Sequence, residues 1–559
     1  KKINMKMIQC ALDNFPKENN SDLPKKIVLT GEDLTTYDLF CIGHHDSIHV
    51  EIRDDTFEAI AKARKIVTDK IENGEVVYGI NTGFGHFSTV SIGKEKIAKL
   101  QYNLIRSHAT GVGKPIDLAI ARMLLTLRIN VLCKARSGIR PVTVKKLLKA
   151  LNCNCISKIP CQGTVGASGD LAPLSHLALG LLGEGDMWNP KTKSYEAASK
   201  VLSENNLSPI DLEAKEGLSL INGTQFICAV GVEALERARL LAVEADVVAA
   251  LTVDALLGTF RAYDARIHKN RPHSGQQMVA QRMRKLLIEP NGETSSIYKS
   301  HSTCSRVQDA YTLRCIPQVH GVVHDTIEFV TRFMTTEINS ATDNPMVFYD
   351  SDGSCLPKEQ TSSIVSGGNF HGEYPAKMMD YLGIAIHEIA QISERRTARM
   401  IDHTQNNGLP AFLIENGGLN SGFMLAHCTA ASLTSENKVL VHPSSADTIS
   451  TSAQKEDHVS MGGFAARKAL NIVENVERIV AIEALSASQA LYIRQQHANV
   501  QPSTTMTSVL KTIRSKVPPI DEDRYFAPDI DAVTQLIRDG SIYRCVHERL
   551  MTKDELEVK

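Results

Sequence analysis

A mainly α-helical fold, built around a bundle of long helices, is predicted by three segments in the second half of the chain. Residues 226–260, 374–402 and 463–496 each carry apolar side chains at helical spacing. The pattern is clearest at Leu240, Val243, Val247 and Leu251 and again at Leu470, Val473, Val476 and Val480. Helices this long exceed the usual globular mean and are stable only when their apolar stripes pack against one another, so a bundle is expected.

The part of the chain before the bundle has a different character. Up to about residue 220, glycine-punctuated segments such as "YGINTGFGHFS", "SHATGVGKP" and "GTVGASGDLAP" are predicted as loops. Between them, "DLAIARMLLTLRINVLCKA" predicts an apolar helix. We expect an N-terminal arm over 1–30, an N-terminal domain over 31–220, and the long-helix bundle with a C-terminal helical region over 221–559. A length of 559 residues agrees with more than one domain.

Composition and charge exclude several classes of protein. The formal net charge of −1 leaves no basic excess for nucleic acid. The 12 cysteines are scattered without a disulfide framework, which is typical of reduced thiols. The first residues carry charges where a signal peptide needs an apolar run, and no long apolar stretch suits a membrane span. We therefore expect a cytoplasmic protein without nucleic-acid or membrane partners.

No metal or nucleotide site is expected from the remaining motifs. His320 and His324 are spaced i, i+4, but Gly321 occupies the position where the H-E-x-x-H metal motif needs glutamate. The segments "YGINTGFG" and "GVGKP" are rich in glycine, yet neither completes a phosphate-loop or dinucleotide fingerprint.

The stretch "GTVGASGDLAPLSH" places Ser168 among small residues, which suggests a nucleophile. A serine-hydrolase elbow requires G-x-S-x-G, however, and Asp170 stands where the second glycine must be. A glycine amide is unshielded by a Cβ, so the nitrogen of Gly169 could reach the carbonyl carbon of Ala167 and close a five-membered ring. Loss of water would then consume the serine and leave an electrophilic methylene, an outcome that composition alone does not establish.

Eight further segments, in order, resemble those of the aromatic amino-acid ammonia-lyases over nearly the whole chain after the arm. They are "VYGINTGFG", "SHATGVG", "EGLSLINGTQ", "QDAYTLRC", "SATDNPMVF", "SGGNFHGE", "EDHVSMGG" and "DRYFAPDI". The resemblance implies an aspartase- and fumarase-like helical fold and a homotetramer whose active sites are shared between chains. It also implies that Ala167, Ser168 and Gly169 mature autocatalytically into 4-methylideneimidazol-5-one, with no external cofactor.

The resemblance also implies roles for the residues around that group. Tyr78 matches the base that removes the β-proton, and Tyr311 matches a second tyrosine that supports the site. Arg314 matches the residue that binds the substrate carboxylate, a role that the fork of a guanidinium suits. The positions that match polar and aromatic neighbours of the ring and substrate are Asn222, Gln308 and Phe370.

Substrate choice within the family is expected to depend on His108 and Glu456. Phenylalanine-specific relatives carry Phe-Leu at the positions of Ser107 and His108, and tyrosine-specific relatives carry His-Leu. A histidine and a carboxylate can both hydrogen-bond an imidazole, whereas a phenyl ring would leave them unpaired. The resemblance therefore favours elimination of ammonia from L-histidine to give trans-urocanate.

Three alternatives remain open at this point. They are a phenylalanine or tyrosine ammonia-lyase, an aminomutase with the same group, and, more remotely, a non-catalytic structural relative. We further expect that, within one chain, some site residues lie away from Ser168. Tyr78 and Arg314 are the candidates for belonging to a neighbouring chain's site.

Overall fold

Long helices dominate the structure, a computed structural model that describes residues 23–289, 291–350 and 363–551. The predicted mainly α fold is confirmed. Most of the predicted arm over 1–30, and the last eight residues of the predicted bundle region, lie outside the described residues. The three-part division of the chain stays a prediction.

The elements before the bundle are short, and the helices among them are as follows. They are α1 (Thr36–His44), α2 (Asp54–Glu72), α3 (Ile97–His108), α4 (Leu118–Cys133), α5 (Pro141–Asn152), α6 (Leu171–Leu181), α7 (Ala198–Glu204) and α8 (Glu216–Ile221). The apolar helix predicted from "DLAIARMLLTLRINVLCKA" is α4, whose second half is wholly buried.

In the described ranges of the chain, nine short strands form four small sheets. The strands are β1 (Lys26–Leu29), β2 (His49–Ile52), β3 (Val112–Pro115), β4 (Ile156–Ser157), β5 (Pro160–Gln162), β6 (Asp186–Asn189), β7 (Ser194–Ala197), β8 (Met346–Val347) and β9 (Ile364–Val365). The β1–β2 pair is parallel, with Lys26 opposite His49, and the other pairs are antiparallel. Outside these sheets, β-pairing in the described residues is limited to isolated bridges, such as the one between Gly169 and Gly223.

The remaining helices lie in the second part of the chain. They are α9 (Gln225–Ala255), α10 (Ala265–Lys269), α11 (Ser274–Leu287), α12 (Ser296–His301), α13 (Tyr311–Arg314), α14 (Ile316–Ile338), α15 (Glu373–Ile401), α16 (Met424–Leu440), α17 (Gly462–Ala498), α18 (Thr504–Arg514), α19 (Ala527–Arg538), α20 (Ser541–Arg544) and α21 (His547–Met551). Helices α9, α15 and α17 are the three long helices predicted from the sequence. All residues of α9 are buried, as expected of a helix at the centre of a bundle.

Several charged side chains inside the bundle are paired, which offsets the cost of removing them from water. Asp246 on α9 binds His320 at 2.8 Å, His324 at 3.0 Å and Arg282 at 2.8 Å. Burial opposes ionisation of Asp246, but these partners hold the pKa of its carboxyl far below the ordinary value. On α15, Arg396 forms a two-point ion pair with Glu483 of α17. The two histidines of the i, i+4 pair thus share one carboxylate that ties α14 to α9.

Two loop predictions in the first part of the chain are wrong in part. The segment "GTVGASGDLAP" runs into α6, which begins at Leu171, and "SHATGVGKP" contains a helix end and a strand. Ser107 and His108 end α3, because the amide of Ala109 still donates to the carbonyl of Ile105 at 3.1 Å. The following residues form β3, which pairs with β5. The glycines of "SHATGVGKP" signalled a break in regular structure, but they could not show that a helix and a strand meet there.

In the part of the chain that the structure describes, no helix has both the length and the apolar character needed to cross a membrane. Within the same residues, no group of three or more histidine, cysteine or acidic side chains is placed to hold a metal ion.

Candidate active site

The loop that carries Ala167, Ser168 and Gly169 has a backbone conformation that requires glycine at position 169. Gly169 has φ of +70°, and a Cβ there would lie 2.2 Å from the carbonyl oxygen of Gly223. The next amide, that of Asp170, donates to the same carbonyl at 2.7 Å. The close approach of these two backbones therefore depends on the missing side chain of Gly169.

The bundle clamps the same loop from other directions. The carbonyl of Gly166 accepts from the amide of Gly372 at 3.1 Å and from the hydroxyl of Ser460 at 3.1 Å. The amide of Met461 donates to the carbonyl of Val165 at 2.9 Å. Backbone bonds from the starts of α15 and α17 thus fix a loop that lies far from them in the sequence.

Asp170, which excluded the serine-hydrolase elbow, has a structural role. Its carboxylate accepts from the amide of Ile227 at 2.9 Å, near the start of α9, and from the hydroxyl of Thr164 at 3.1 Å. Complete burial raises the pKa of Asp170 to about 7, although these hydrogen bonds oppose the shift. Asp170 therefore joins the loop to the N-terminal turn of the central helix.

A cavity of about 1370 Å³ opens beside the loop and brings together most of the predicted site residues. Its walls include Tyr78, His108, Ala167, Ser168, Asn222, Phe370 and Glu456. These residues come from widely separated segments of one chain. The expectation that Tyr78 lies outside the Ser168 site of its own chain is therefore wrong, because the loop after α2 folds back onto this cavity.

Asn222 contacts the loop directly. Its Nδ2 donates to the carbonyl of Ser168 at 3.0 Å, while its Oδ1 is buried and has no hydrogen-bond partner. The backbone carbonyl of Asn222 accepts from the fully buried Arg128 at 2.5 Å. An unsatisfied buried acceptor is costly, so this oxygen is a candidate to receive a donor from a bound molecule.

Glu456 is ionised and ordered by hydroxyl donors. Burial opposes its ionisation, but hydrogen bonds from Thr451, Ser168 and Ser452 hold the pKa of the carboxyl below its ordinary value. The contact from Ser168 Oγ to Glu456 Oε1 is 2.8 Å. The serine hydroxyl is thus bonded to a carboxylate, whereas a hydrolase nucleophile would be bonded to a histidine base.

His108 is oriented by the helix that it ends. Its Nδ1 lies 2.8 Å from the carbonyl of Leu104, so this nitrogen carries the hydrogen and Nε2 is left as an acceptor. Burial lowers the pKa of His108 and so favours the neutral ring, although the Leu104 carbonyl and Glu456 oppose the shift. The cavity therefore contains a neutral imidazole and an ionised carboxylate, both able to accept a hydrogen bond.

Three predicted residues do not line this cavity: Gln308, Tyr311 and Arg314. Tyr311 is 71% exposed and lines a separate cavity of about 740 Å³. The guanidinium carbon of Arg314 lies 4.5 Å from the centre of the Tyr311 ring, and its Nε is buried without a hydrogen-bond partner. The two residues are adjacent on α13, as their spacing predicted.

Sequence reasoning missed several residues of the cavity wall. Asn344, His371 and His458 all line it. The rings of His371 and His458 stack with centroids 5.8 Å apart, and His371 Nε2 lies 3.1 Å from the carbonyl of His458. All three lie within sequence segments that resemble the family, and this resemblance was the one signal that could have identified them.

The close approach at Gly169 gives a first testable prediction. Gly169→Ala adds a methyl group that meets the Gly223 carbonyl, so we expect the free energy of unfolding to fall by roughly 3 kcal/mol or more. Gly185→Ala is the matched control, because Gly185 has the same φ of +70° but its Cβ would meet only Leu179 at 3.5 Å. Its expected loss is about 1 kcal/mol. Equal losses in denaturant titration would contradict the close approach.

Known proteins resemble this chain over almost its full length. A family model described as aromatic amino acid lyase matches residues 34–515. A histidine ammonia-lyase of Caenorhabditis elegans is 52% identical, over 95% of this chain and 76% of that protein.

Solved structures give the same result. Histidine ammonia-lyase from Trypanosoma cruzi is similar with a TM-score of 0.83 and 48% identity, covering 95% of this chain and 96% of the other. A tyrosine aminomutase from Streptomyces globisporus is similar with a TM-score of 0.85 and 32% identity, covering 95% and 100%. The match of the family model to most of the chain, together with these relatives, shows that the chain belongs to the aromatic amino acid lyase family.

Proposed function

We propose that this chain is an ammonia-lyase that eliminates ammonia from L-histidine to give trans-urocanate. The observation that carries the proposal is the pairing of His108 and Glu456 in the cavity beside Ser168. The site presents two acceptors, Nε2 of His108 and the carboxylate of Glu456, and a protonated imidazole ring offers two N–H donors that match them. The similar proteins named histidine ammonia-lyase support the same substrate.

The reaction removes a weakly acidic β-proton while a poor leaving group departs. Tyr78 lines the cavity and is proposed to take that proton. His108 and Glu456 orient the imidazole, and Phe370 gives the cavity an aromatic wall. These groups place the β-carbon of the substrate within reach of the base, which is a positioning contribution.

The residues of the loop fit the proposed 4-methylideneimidazol-5-one group. The backbone approach at Gly169 excludes any side chain there, and Asn222 holds the carbonyl of Ser168 while keeping a free buried acceptor. When formed, the group supplies an electrophile for the substrate amine, which makes nitrogen a better leaving group. Ala167, Ser168 and Gly169 would hold it as part of the chain, with Asn222 beside it.

The site is proposed to be completed by a second copy of the chain, in a homotetramer. Tyr311 and Arg314 do not line the Ser168 cavity of their own chain, and Arg314 has a buried Nε without a hydrogen-bond partner. A guanidinium is suited to a substrate carboxylate, and no arginine is among the described residues that line the Ser168 cavity. We also propose a cytoplasmic location for this tetramer.

Mixing variants tests the shared site. Tyr78→Phe and Arg314→Ala homotetramers should each be nearly inactive. Since Tyr78 lies with Ser168 and Arg314 does not, hybrid tetramers should contain some sites with both residues intact and should regain measurable activity. No recovery after subunit exchange has been confirmed by mass spectrometry would contradict sharing between chains.

Product analysis tests the function itself. The purified protein should convert L-histidine to urocanate and ammonia in equal amounts, and should process L-phenylalanine and L-tyrosine far more slowly. Recovery of a β-amino acid would instead identify an aminomutase, the alternative suggested by the similar tyrosine aminomutase. Cinnamate or coumarate as the main product would contradict the roles of His108 and Glu456.

A further inference from the structure

The carboxylate of Glu456 receives three hydroxyl hydrogen bonds, divided unequally between its oxygens. Oε2 accepts from Thr451 Oγ1 at 2.6 Å and from Ser452 Oγ at 2.8 Å. Oε1 accepts from Ser168 Oγ at 2.8 Å. One oxygen is therefore bound to the segment that carries the glutamate, and the other is bound to the loop across the cavity.

The donors to Oε2 lie at the start of a turn in which three successive residues have left-handed backbone conformations. Ser452, Ala453 and Gln454 have φ of 52°, 53° and 66°, and none of them is glycine. The ends of this turn are closed by the amide of Thr451, which donates to the carbonyl of Glu456 at 3.0 Å. L-residues resist this region, so three in a row persist only where surrounding contacts fix them. The turn brings two successive hydroxyls to one carboxylate oxygen.

We propose that Thr451 and Ser452 are positioning residues that hold Oε2 of Glu456, so that Oε1 passes from Ser168 to the imidazole of the substrate. The inference rests on the proposed function. Under that function the hydroxyl of Ser168 leaves as water when the loop matures, and Oε1 loses its donor. The two donors on the left-handed turn are not consumed, so Oε2 keeps its partners and the carboxylate keeps its orientation.

The two oxygens then have different tasks. An ionised carboxylate oxygen without a donor is costly in a half-buried cavity, and an imidazole N–H supplies the missing donor. A ligand whose ring lacks an N–H leaves Oε1 unpaired. Maturation of the loop therefore leaves Oε1 of Glu456 free to accept a hydrogen bond from the substrate ring, while Oε2 keeps its two hydroxyl donors.

The double variant Thr451→Val, Ser452→Ala tests the inference because it removes both donors to Oε2 and keeps side chains of similar size. We expect kcat/KM for L-histidine to fall about 10- to 100-fold, mainly through KM, as two hydrogen bonds to a charged group are lost. The inhibition constant of urocanate should rise, whereas that of cinnamate, whose phenyl ring has no N–H, should change little. The conservative variant Thr451→Ser, which keeps a hydroxyl at this position, should keep most of the affinity.

Thr448→Val is the matched control. Thr448 lies in the same segment and is exposed, and its hydroxyl accepts from the amide of Val459 at 2.8 Å with no contact to Glu456. Its kinetic constants should stay close to those of the unmodified protein. The intact mass of the double variant should still show the loss of two waters, and its thermal midpoint should identify any variant that is misfolded.

Unchanged urocanate inhibition in a folded, matured double variant would overturn the inference. An equal loss of urocanate and cinnamate binding would overturn it as well, because the effect would then be general to the cavity. Failure of the proposed function is distinguishable, since the unmodified protein would then make no urocanate from L-histidine.

Discussion

Ser168→Ala is expected to fold and to lose activity by several orders of magnitude. The hydroxyl that must leave to form the methylene is absent in this variant, so the electrophile cannot form. Activity should be followed as urocanate formation, and the intact mass should show the loss of at most one water. Near-normal turnover would contradict the prosthetic-group account.

Ser175→Ala is the control for this experiment. Ser175 lies on α6 in the same motif, is buried, and its Oγ has no hydrogen-bond partner. Loss of that hydroxyl should leave both maturation and turnover close to normal. A collapse of activity in this control would mean that the segment tolerates no substitution. The intact mass alone would then show whether Ser168→Ala blocks maturation.

His108→Phe is expected to have the second-largest effect. The phenyl ring cannot accept a hydrogen bond at the position of Nε2. A buried polar group of the substrate ring left without its partner costs about 1–3 kcal/mol, and misplacement of the substrate adds to this loss. We expect kcat/KM for L-histidine to fall by about 10²-fold or more. The intact mass should still show maturation, because the hydrogen-bond contacts of His108 are with Ser107 and Leu104 of its own helix and not with the loop.

His108→Gln provides a graded comparison. A glutamine keeps a donor and an acceptor on a flexible side chain, so its loss of kcat/KM should be smaller than that of phenylalanine. Equal losses in the two variants would indicate that the shape of the imidazole matters more than its hydrogen bonds. A phenylalanine variant as active as the unmodified protein would contradict the specificity role.

The long helices were predictable from the sequence because their buried faces carry apolar residues at helical spacing. Helix α9 was expected over 226–260 and is found over 225–255, and α15 and α17 were placed with similar accuracy. The loop was also recognisable, since Ala167, Ser168 and Gly169 are adjacent. What could not be read was the contact of Gly169 with Gly223, which depends on two backbones meeting in space.

The candidate site was predicted only in part, for a physical reason. Periodicity reports which face of an element is buried, but not which chain covers it or which distant segments converge. Tyr78 was therefore expected to belong to a neighbouring chain's site, although it lines the same cavity as Ser168 of its own chain. The hydroxyl donors Thr451 and Ser452 were missed because only their left-handed turn aims them at Glu456.

Mass spectrometry of the peptide that spans residues 163–176 tests the central claim most directly. In active protein purified without added cofactor, the account predicts a peptide lighter than its sequence by two water molecules, with the loss located at Ala167, Ser168 and Gly169. An unmodified peptide from fully active protein would contradict the account, because the electrophile would then have to come from elsewhere.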